Sequence, residues 1–144
     1  MVETVSRLER PLAWSIAALA MLHYVLFFTD AYAAWYPFDM FMHFACGAWF
    51  GVFGFHFLFL RGRAHASSAV WKAVIVVSFV ALVGVLWEFH EFIGDRFITD
   101  PALVMQSSVA DTMSDLLFDI LGGTIAVILA IVWQKRSRLP EGKG

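Results

Sequence analysis

Four long apolar stretches divide the chain, and short polar segments connect them. The stretches cover residues 11–29, 37–60, 69–93 and 109–133. With a rise of about 1.5 Å per residue, each would form a helix long enough to cross a hydrocarbon core of about 30 Å. A segment in lipid has to pair its own backbone groups, which a helix does. The pattern therefore predicts an all-α membrane fold, a bundle of four transmembrane helices.

Residues that favour helix starts mark three of the four boundaries. Pro11 and Pro37 open the first and second stretches, where a missing backbone N–H costs nothing. Ser108 and Asp111 form a Ser-x-x-Asp pattern at the start of the fourth stretch, which predicts a side-chain cap. We expect the first two helices to begin at their prolines and the fourth to follow Ser108.

The composition is that of a membrane domain. Of the 144 residues, 60% are apolar and 15% are charged, which is too apolar for an ordinary soluble domain. We expect residues 1–144 to form a single integral-membrane domain surrounded by the lipid bilayer. The one cysteine, Cys46, cannot form an internal disulfide. The basic residues form no stripe, so no nucleic-acid partner is expected.

Lysine and arginine residues fall almost entirely on one side of the predicted membrane. Only Arg96 falls on the other side. The residues on the shared side are Arg7, Arg10, Arg61, Arg63, Lys72, Lys135, Arg136, Arg138 and Lys143. Because positive residues favour the cytoplasmic side, we expect both termini in the cytoplasm. The expected location is the bacterial inner membrane, with the chain as a multi-pass protein.

Acidic residues and a histidine recur at helical spacing in the second, third and fourth stretches. Spacings of three and four place side chains on one helical face. Toward the basic side, these polar stripes continue into glycines, namely Gly47, Gly51, Gly84 and Gly122. Small residues mark the faces on which membrane helices approach closely. The polar stripes are therefore predicted to point into the bundle.

The three stripes meet at one depth, roughly 7–9 Å inside the outer helix ends at about 1.5 Å per residue. An acidic residue at a helix centre costs about 2.5–3.5 kcal/mol, so a cluster needs protons, water or a cation. Carboxylates and imidazole are usual ligands of divalent metals, so we expect a divalent metal ion. The candidate metal ligands are Asp39, His43, Glu88, Glu91, Asp111 and Asp115.

Several points about this cluster stay open. The ligand set suits Zn, Mn, Fe, Mg or Ca in different degrees, so the metal is not identified. Asp119 lies near the midplane and is either functional or a protonated acid bonded to a neighbouring helix. The role of His23 is equally open. His90 lies off the stripe and is expected at the membrane interface, His56 is expected to pack in the bundle, and Asp95 is expected to be a solvated charge.

Three short motifs carry a resemblance to a known family. In chain order they are Tyr36-Pro37-Phe38-Asp39 with His43, Phe44 and Gly47; Trp87-Glu88 with Glu91; and Asp111-Thr112 with Asp115, Asp119 and Leu121-Gly122. Their order and spacing resemble the uncharacterised YjdF-like bacterial inner-membrane proteins, over about two-thirds of the chain. VanZ-like membrane proteins are similar around the first and last motifs. The resemblance implies an intramembrane site and no established activity.

The polar groups are confined to one side of the bundle, which predicts a blind outward-facing pocket rather than a pore. We expect a membrane protein that binds a divalent metal ion, as a small metalloenzyme acting on a lipid or a periplasmic group. Two alternatives stay open. One is an accessory subunit of a larger membrane complex, which four helices with short loops favour. The other is an ion or proton transporter, which would require a homo-oligomer.

Overall fold

Five α-helices and one π-helical turn make up the described part of the chain, which contains no strand. The computed structural model describes residues 2–66, 68–97 and 104–137. In chain order the elements are α1 (Val2–Phe28), α2 (Ala31–Ala34), α3 (Pro37–Phe55) with its π-helical continuation (His56–Leu60), α4 (Ala69–Phe97) and α5 (Val109–Arg136).

Four of these helices are long and apolar enough to cross a membrane. Within the described residues, the apolar spans are Leu8–Phe28, Pro37–Leu60, Ala69–Phe97 and Val109–Arg136. The predicted all-α fold with four transmembrane helices is therefore confirmed. The short helix α2 was not predicted, because a single turn is too short to show a hydrophobic period.

The helix ends differ from the predicted ones in three places. α1 begins at Val2 and Pro11 lies inside it, so the predicted start at Pro11 is wrong. Residues 2–10 contain neither glycine nor proline, so nothing in them ends the helix. α4 continues past residue 93 to Phe97, and α5 continues past residue 133 to Arg136.

The other start signals are confirmed. Pro37 is the first residue of α3. Ser108 caps α5, because its hydroxyl oxygen accepts a hydrogen bond from the backbone N–H of Asp111 at 3.1 Å. Pro37 and Ser108 therefore mark the starts of α3 and α5, as their positions in the sequence predicted.

The most extensive helix contact joins α3 and α5, and glycine makes it possible. A Cβ atom on Gly47 would collide with the backbone of Asp119, and one on Gly122 would collide with the backbone of α3. Farther along, a Cβ atom on Gly51 would lie 2.9 Å from the carbonyl oxygen of Gly123. The glycine faces point into the bundle, as predicted, and the two backbones touch there.

One end of the bundle carries the described basic residues apart from Arg96, which lies in the last turn of α4, and we call it the basic end. There α4 begins and α5 ends, and Lys72 Nζ donates a hydrogen bond to Gln134 Oε1 at 2.8 Å. Arg61 Nη2 lies 3.1 Å from Glu9 Oε1, and this ion pair brings the segment after α3 and the early part of α1 to the same end. Two further basic residues of the predicted group lie outside the described residues, Arg138 and Lys143.

An apolar core lies next to the basic end. It consists of Phe55, Val76, Val80 and Val127, from α3, α4 and α5. His56 follows Phe55 and is buried, as expected for a residue that packs in the bundle. The core separates the basic end from the acidic residues farther along the same helices.

α1 is attached at the edge of this bundle. Its most apolar stretch of 18 residues contains no buried residue. On the basic side, the indole Nε1 of Trp49 donates to the carbonyl oxygen of Leu12 at 3.2 Å and to Ser15 Oγ at 3.0 Å. These hydrogen bonds hold α1 against α3, while most of the α1 surface stays outside the core.

Replacing Gly122 by alanine should destabilise the bundle, because the new methyl group would collide with the carbonyl oxygen of Phe44. Overpacking of this kind costs about 1–3 kcal/mol, and a rigid backbone neighbour favours the upper part of that range. Thermal unfolding in detergent measures the loss. Leu121→Ala is the control, since Leu121 is 42% exposed on the adjacent position. Equal melting temperatures for the two variants would contradict the close contact.

Candidate functional site

An Asp–His–Asp group forms at the opposite end of the bundle, which we call the acidic end. α3 supplies Asp39 and His43, four residues apart, and α5 supplies Asp115. His43 Nε2 lies 3.8 Å from Asp39 Oδ1 and 4.0 Å from Asp115 Oδ1. One ligand atom from each of the three residues lies within 4.8 Å of the others. The group could therefore hold a metal ion.

The imidazole of His43 is oriented by Asp119. Its Nδ1 atom lies 3.3 Å from Asp119 Oδ2. A carboxylate accepts hydrogen bonds, so Nδ1 carries a hydrogen, and in the neutral imidazole Nε2 then presents its lone pair to the Asp–His–Asp group. Gly84 leaves room for this carboxylate, because a Cβ atom there would lie 2.6 Å from Asp119 Oδ2.

With His43 neutral, three acceptor atoms face one another. They are Nε2 of His43 and one oxygen each of Asp39 and Asp115. Asp115 is 1% exposed, and its Oδ1 atom has no hydrogen-bond partner. Unpaired acceptors buried together are costly, and a proton or a cation between them removes that cost. The arrangement is therefore suited to binding positive charge.

Glu88 is buried at the same end but directed toward the segment before α5. Its Oε2 atom accepts from Gln106 Nε2 at 3.2 Å, and the same amide donates to Thr112 Oγ1 at 2.8 Å. The Oε1 atom of Glu88 is buried without a partner. The structure thus does not bring Glu88 into the Asp–His–Asp group.

Glu91 and Asp111 also have partners of their own. Glu91 Oε1 accepts from the indole Nε1 of Trp87 at 2.8 Å. Asp111 Oδ2 accepts from both the backbone N–H and the hydroxyl of Ser107, at 2.9 and 2.8 Å. Of the six predicted ligands, the structure brings together Asp39, His43 and Asp115. It places Glu88, Glu91 and Asp111 around that group.

Asp95 has a structural role that contradicts the expectation of a solvated charge. Its two carboxylate oxygens accept the backbone N–H groups of Met105 and Gln106, each at 2.8 Å. The carboxylate thereby fastens the segment before α5 to the end of α4. Gln106 is held in place by this contact, and its amide reaches Glu88.

A cavity of about 460 Å³ adjoins the Asp–His–Asp group, between α1, α3 and α4. Its polar lining lies at the acidic end and consists of His23, Tyr32, Asp39, His43, His90, Glu91 and Asp119. The rest of its wall is largely apolar, and part of it reaches Val80 of the core. His90 is exposed at the edge, which fits an interfacial position. The cavity is amphipathic, with its polar part toward the predicted site.

A histidine and a tyrosine from α1 and α2 face this polar part. His23 Nδ1 lies 2.9 Å from Tyr32 Oη, and the His23 ring packs edge-on against Trp87 at 5.3 Å. Burial, and then the charge of Asp39, raise the pKa of Tyr32 above its ordinary value, so the phenol keeps its proton. The sequence left the role of His23 open and did not indicate Tyr32, which lies in the unpredicted helix α2.

Four apolar spans around a buried polar group define an integral membrane protein in which that group could hold a metal ion. The chain belongs to the family described as predicted membrane protein (DUF2238), whose sequence model matches residues 3–136. Neither the curated proteins nor the solved structures give a match. Membership of an uncharacterised membrane family is thus confirmed, and the closer resemblance to YjdF-like or VanZ-like proteins stays a prediction.

Changing Asp95 to asparagine should loosen the segment before α5. An amide nitrogen in place of one oxygen faces a backbone N–H, so one of the two hydrogen bonds is lost, at about 1–3 kcal/mol. Hydrogen exchange at Met105 and Gln106 should accelerate by roughly tenfold or more. Asp30→Asn is the control, because Asp30 is exposed and makes no side-chain cap. Unchanged exchange in Asp95→Asn would contradict the role of this carboxylate.

Proposed function

We propose that this protein binds a divalent metal ion through Asp39, His43 and Asp115. The observation that carries the proposal is the set of three acceptor atoms that face one another with no donor between them. Two of the side chains are buried, and the oxygen of Asp115 that faces His43 has no other partner. A metal ion would neutralise both carboxylates and use the lone pair of the imidazole.

The distances support a metal ion as the occupant. Ligand atoms about 2.1 Å from a tetrahedral metal lie about 3.4 Å from one another. The observed separations from His43 Nε2, 3.8 and 4.0 Å, exceed that value by a few tenths of an ångström. Small rotations of two carboxylates would close the difference. The same separations are too long for hydrogen bonds from a protonated imidazole.

The hydrogen bond between His43 and Asp119 gives independent support. A histidine that binds a metal through one nitrogen commonly donates its other N–H to a carboxylate, which sets the tautomer and the ring orientation. Asp119 occupies that position at 3.3 Å from Nδ1. We therefore propose Asp119 as a positioning residue, which is the functional one of the two alternatives that the sequence left open.

Three protein ligands leave a coordination position free for water or substrate, as in catalytic metal sites. We propose a small metalloenzyme in the bacterial inner membrane, with both termini in the cytoplasm and the acidic end facing outward. Such an ion would polarise a substrate oxygen and activate water. Glu91 lines the adjoining cavity and is placed to accept or release a proton. The substrate would be a lipid or a group on the outer side.

A transporter formed by one chain is the weaker alternative. The apolar core of Phe55, Val76, Val80 and Val127 separates the acidic end from the basic end. An ion path along the described helices would have to cross these side chains. A role as an accessory subunit of a membrane complex is the other alternative, and co-purification of a stoichiometric partner in mild detergent tests it.

Purified protein incubated separately with Zn²⁺, Mn²⁺ and Fe²⁺ should retain about one ion per chain for at least one of these metals. Asp115→Asn should weaken binding by more than about 100-fold, because removing a direct ligand costs more than the loss of an outer partner. Elemental analysis and metal titration measure both values. Asp30→Asn controls for a carboxylate lost elsewhere.

A second control separates the three-residue site from the larger predicted cluster. Glu88→Gln makes the same acid-to-amide change at a buried position of the acidic end, outside the Asp–His–Asp group. We expect it to retain the metal. Protein that holds no metal in any of these three incubations, nor in matching ones with Mg²⁺ and Ca²⁺, would contradict the proposal. Equal metal loss in Glu88→Gln and Asp115→Asn would contradict the assignment of ligands.

Asp119→Asn should lower metal affinity by about 10–100-fold without abolishing binding, because it removes the charge that orients His43 and no direct ligand. Metal titration of the variant measures the shift, and saturation with about one ion per chain at high metal concentration distinguishes it from Asp115→Asn. Wild-type affinity in Asp119→Asn would show that this carboxylate does not position the imidazole.

A further inference from the structure

The cavity beside the Asp–His–Asp group has two chemically distinct parts. Toward the basic end its wall is apolar, with Leu19 of α1, Phe50 of α3 and Val83 of α4 among the lining residues. At the acidic end it is lined by carboxylates, imidazoles and a phenol. Its volume of about 460 Å³ lies within the range of about 300–1,000 Å³ for small-molecule sites. This division suits a molecule with a hydrocarbon tail and a polar head.

The mouth of the cavity lies at the bundle surface between α1 and α4. Tyr24 of α1 and Leu86 of α4 both line the cavity and are more than half exposed, at 58% and 56%. The ring contact between His23 and Trp87 bridges the same two helices. In a bilayer this surface meets lipid, so a hydrocarbon chain reaches the cavity without passing through water.

The head of the occupant is constrained by charge. Asp39, Glu91 and Asp119 line the polar part, and Asp115 adds a buried oxygen without a partner beside it. Carboxylates repel an anionic head; a divalent cation on the Asp–His–Asp group would neutralise Asp39 and Asp115 and would offer the head a direct ligand position. The open coordination position then favours an oxygen donor such as a phosphate or carboxylate group.

We propose that the cavity binds one hydrocarbon chain of an anionic membrane amphiphile, with the oxygen atoms of its head on the metal ion. The proposal rests on the proposed function for the position of the head. The tail lies among Leu19, Phe50 and Val83, and the pair of His23 and Tyr32 contacts the head from the side opposite α3. The substrate class of the site is thereby an anionic lipid or a fatty acid taken from the bilayer.

Photolabelling tests this assignment on the full chain in vesicles of phosphatidylethanolamine and phosphatidylglycerol. One arm uses phosphatidylglycerol with a diazirine in the middle of one acyl chain, and the other uses a fatty acid with the same group. We expect metal-loaded protein to be labelled at Leu19, Phe50 or Val83 in at least one arm. The arm that labels identifies whether the head is a phosphate diester or a carboxylate.

Matched substitutions on α1 test whether the label lies in the cavity. Ala20→Trp places an indole in the cavity and should lower this labelling by about fivefold or more. Ala18→Trp is the control, because Ala18 is an exposed alanine two positions away that does not line the cavity. If Ala20→Trp does not fold, Val83→Trp replaces it, with the exposed Val85→Trp as its control.

The outcomes separate this proposal from the proposed function. Protein that holds metal but is labelled only at lipid-facing residues such as Met21 overturns the amphiphile proposal alone. Labelling that is unchanged in Ala20→Trp or Val83→Trp, or cross-links between two chains in place of lipid adducts, overturns it as well. Labelling that persists in protein without metal, such as Asp115→Asn, overturns the metal-bound head. Labelling that requires both metal and an open cavity supports the proposal.

Discussion

The contact between the backbones of α3 and α5 is the constraint on which the acidic end depends. Gly47 and Gly122 let the two helices approach until their main chains touch. This approach brings His43 of one helix within 3.3 Å of Asp119 and 4.0 Å of Asp115 on the other. Any larger side chain at either glycine would separate the helices and with them the imidazole from its carboxylates. The packing glycines therefore also set the distances within the Asp–His–Asp group and to Asp119.

The close contact has an electrostatic consequence. Carboxylates held apart on a loose bundle would each find water or protons, but here the oxygens of Asp39 and Asp115 face a nitrogen lone pair that Asp119 has oriented toward them. In a medium of low dielectric constant, such a set of acceptors is stable only with positive charge among them. Packing that is favourable for the helices thus creates a site that requires a cation or a proton. The same two helices thus determine both the packing of the bundle and the geometry of this group.

The sequence was sufficient to predict the four spans and the inward faces, because these follow from hydrophobic length and helical period. It was not sufficient to predict the hydrogen-bond partners of the individual side chains. Glu88 and Asp111 share the face and depth of the Asp–His–Asp group, yet hydrogen-bond to Gln106 and Ser107 in the segment before α5. Periodicity fixes a side chain's direction along a helix and contains no information about irregular segments. Tyr32 was missed for the same reason, since its position depends on the single turn of α2.

The peripheral position of α1 leaves space for a pocket between α1, α3 and α4. A fully packed four-helix bundle would fill the space beside His43 with side chains, whereas α1 contacts the bundle through Trp49 on the basic side and through the ring contact of His23 with Trp87 at the acidic end. The space between these attachments is the amphipathic cavity. The apolar core ends that cavity before the basic end, so the polar groups cannot form a continuous path through the described helices. A site that is closed toward one end and open toward lipid fits binding and chemistry on a membrane molecule better than conduction of an ion.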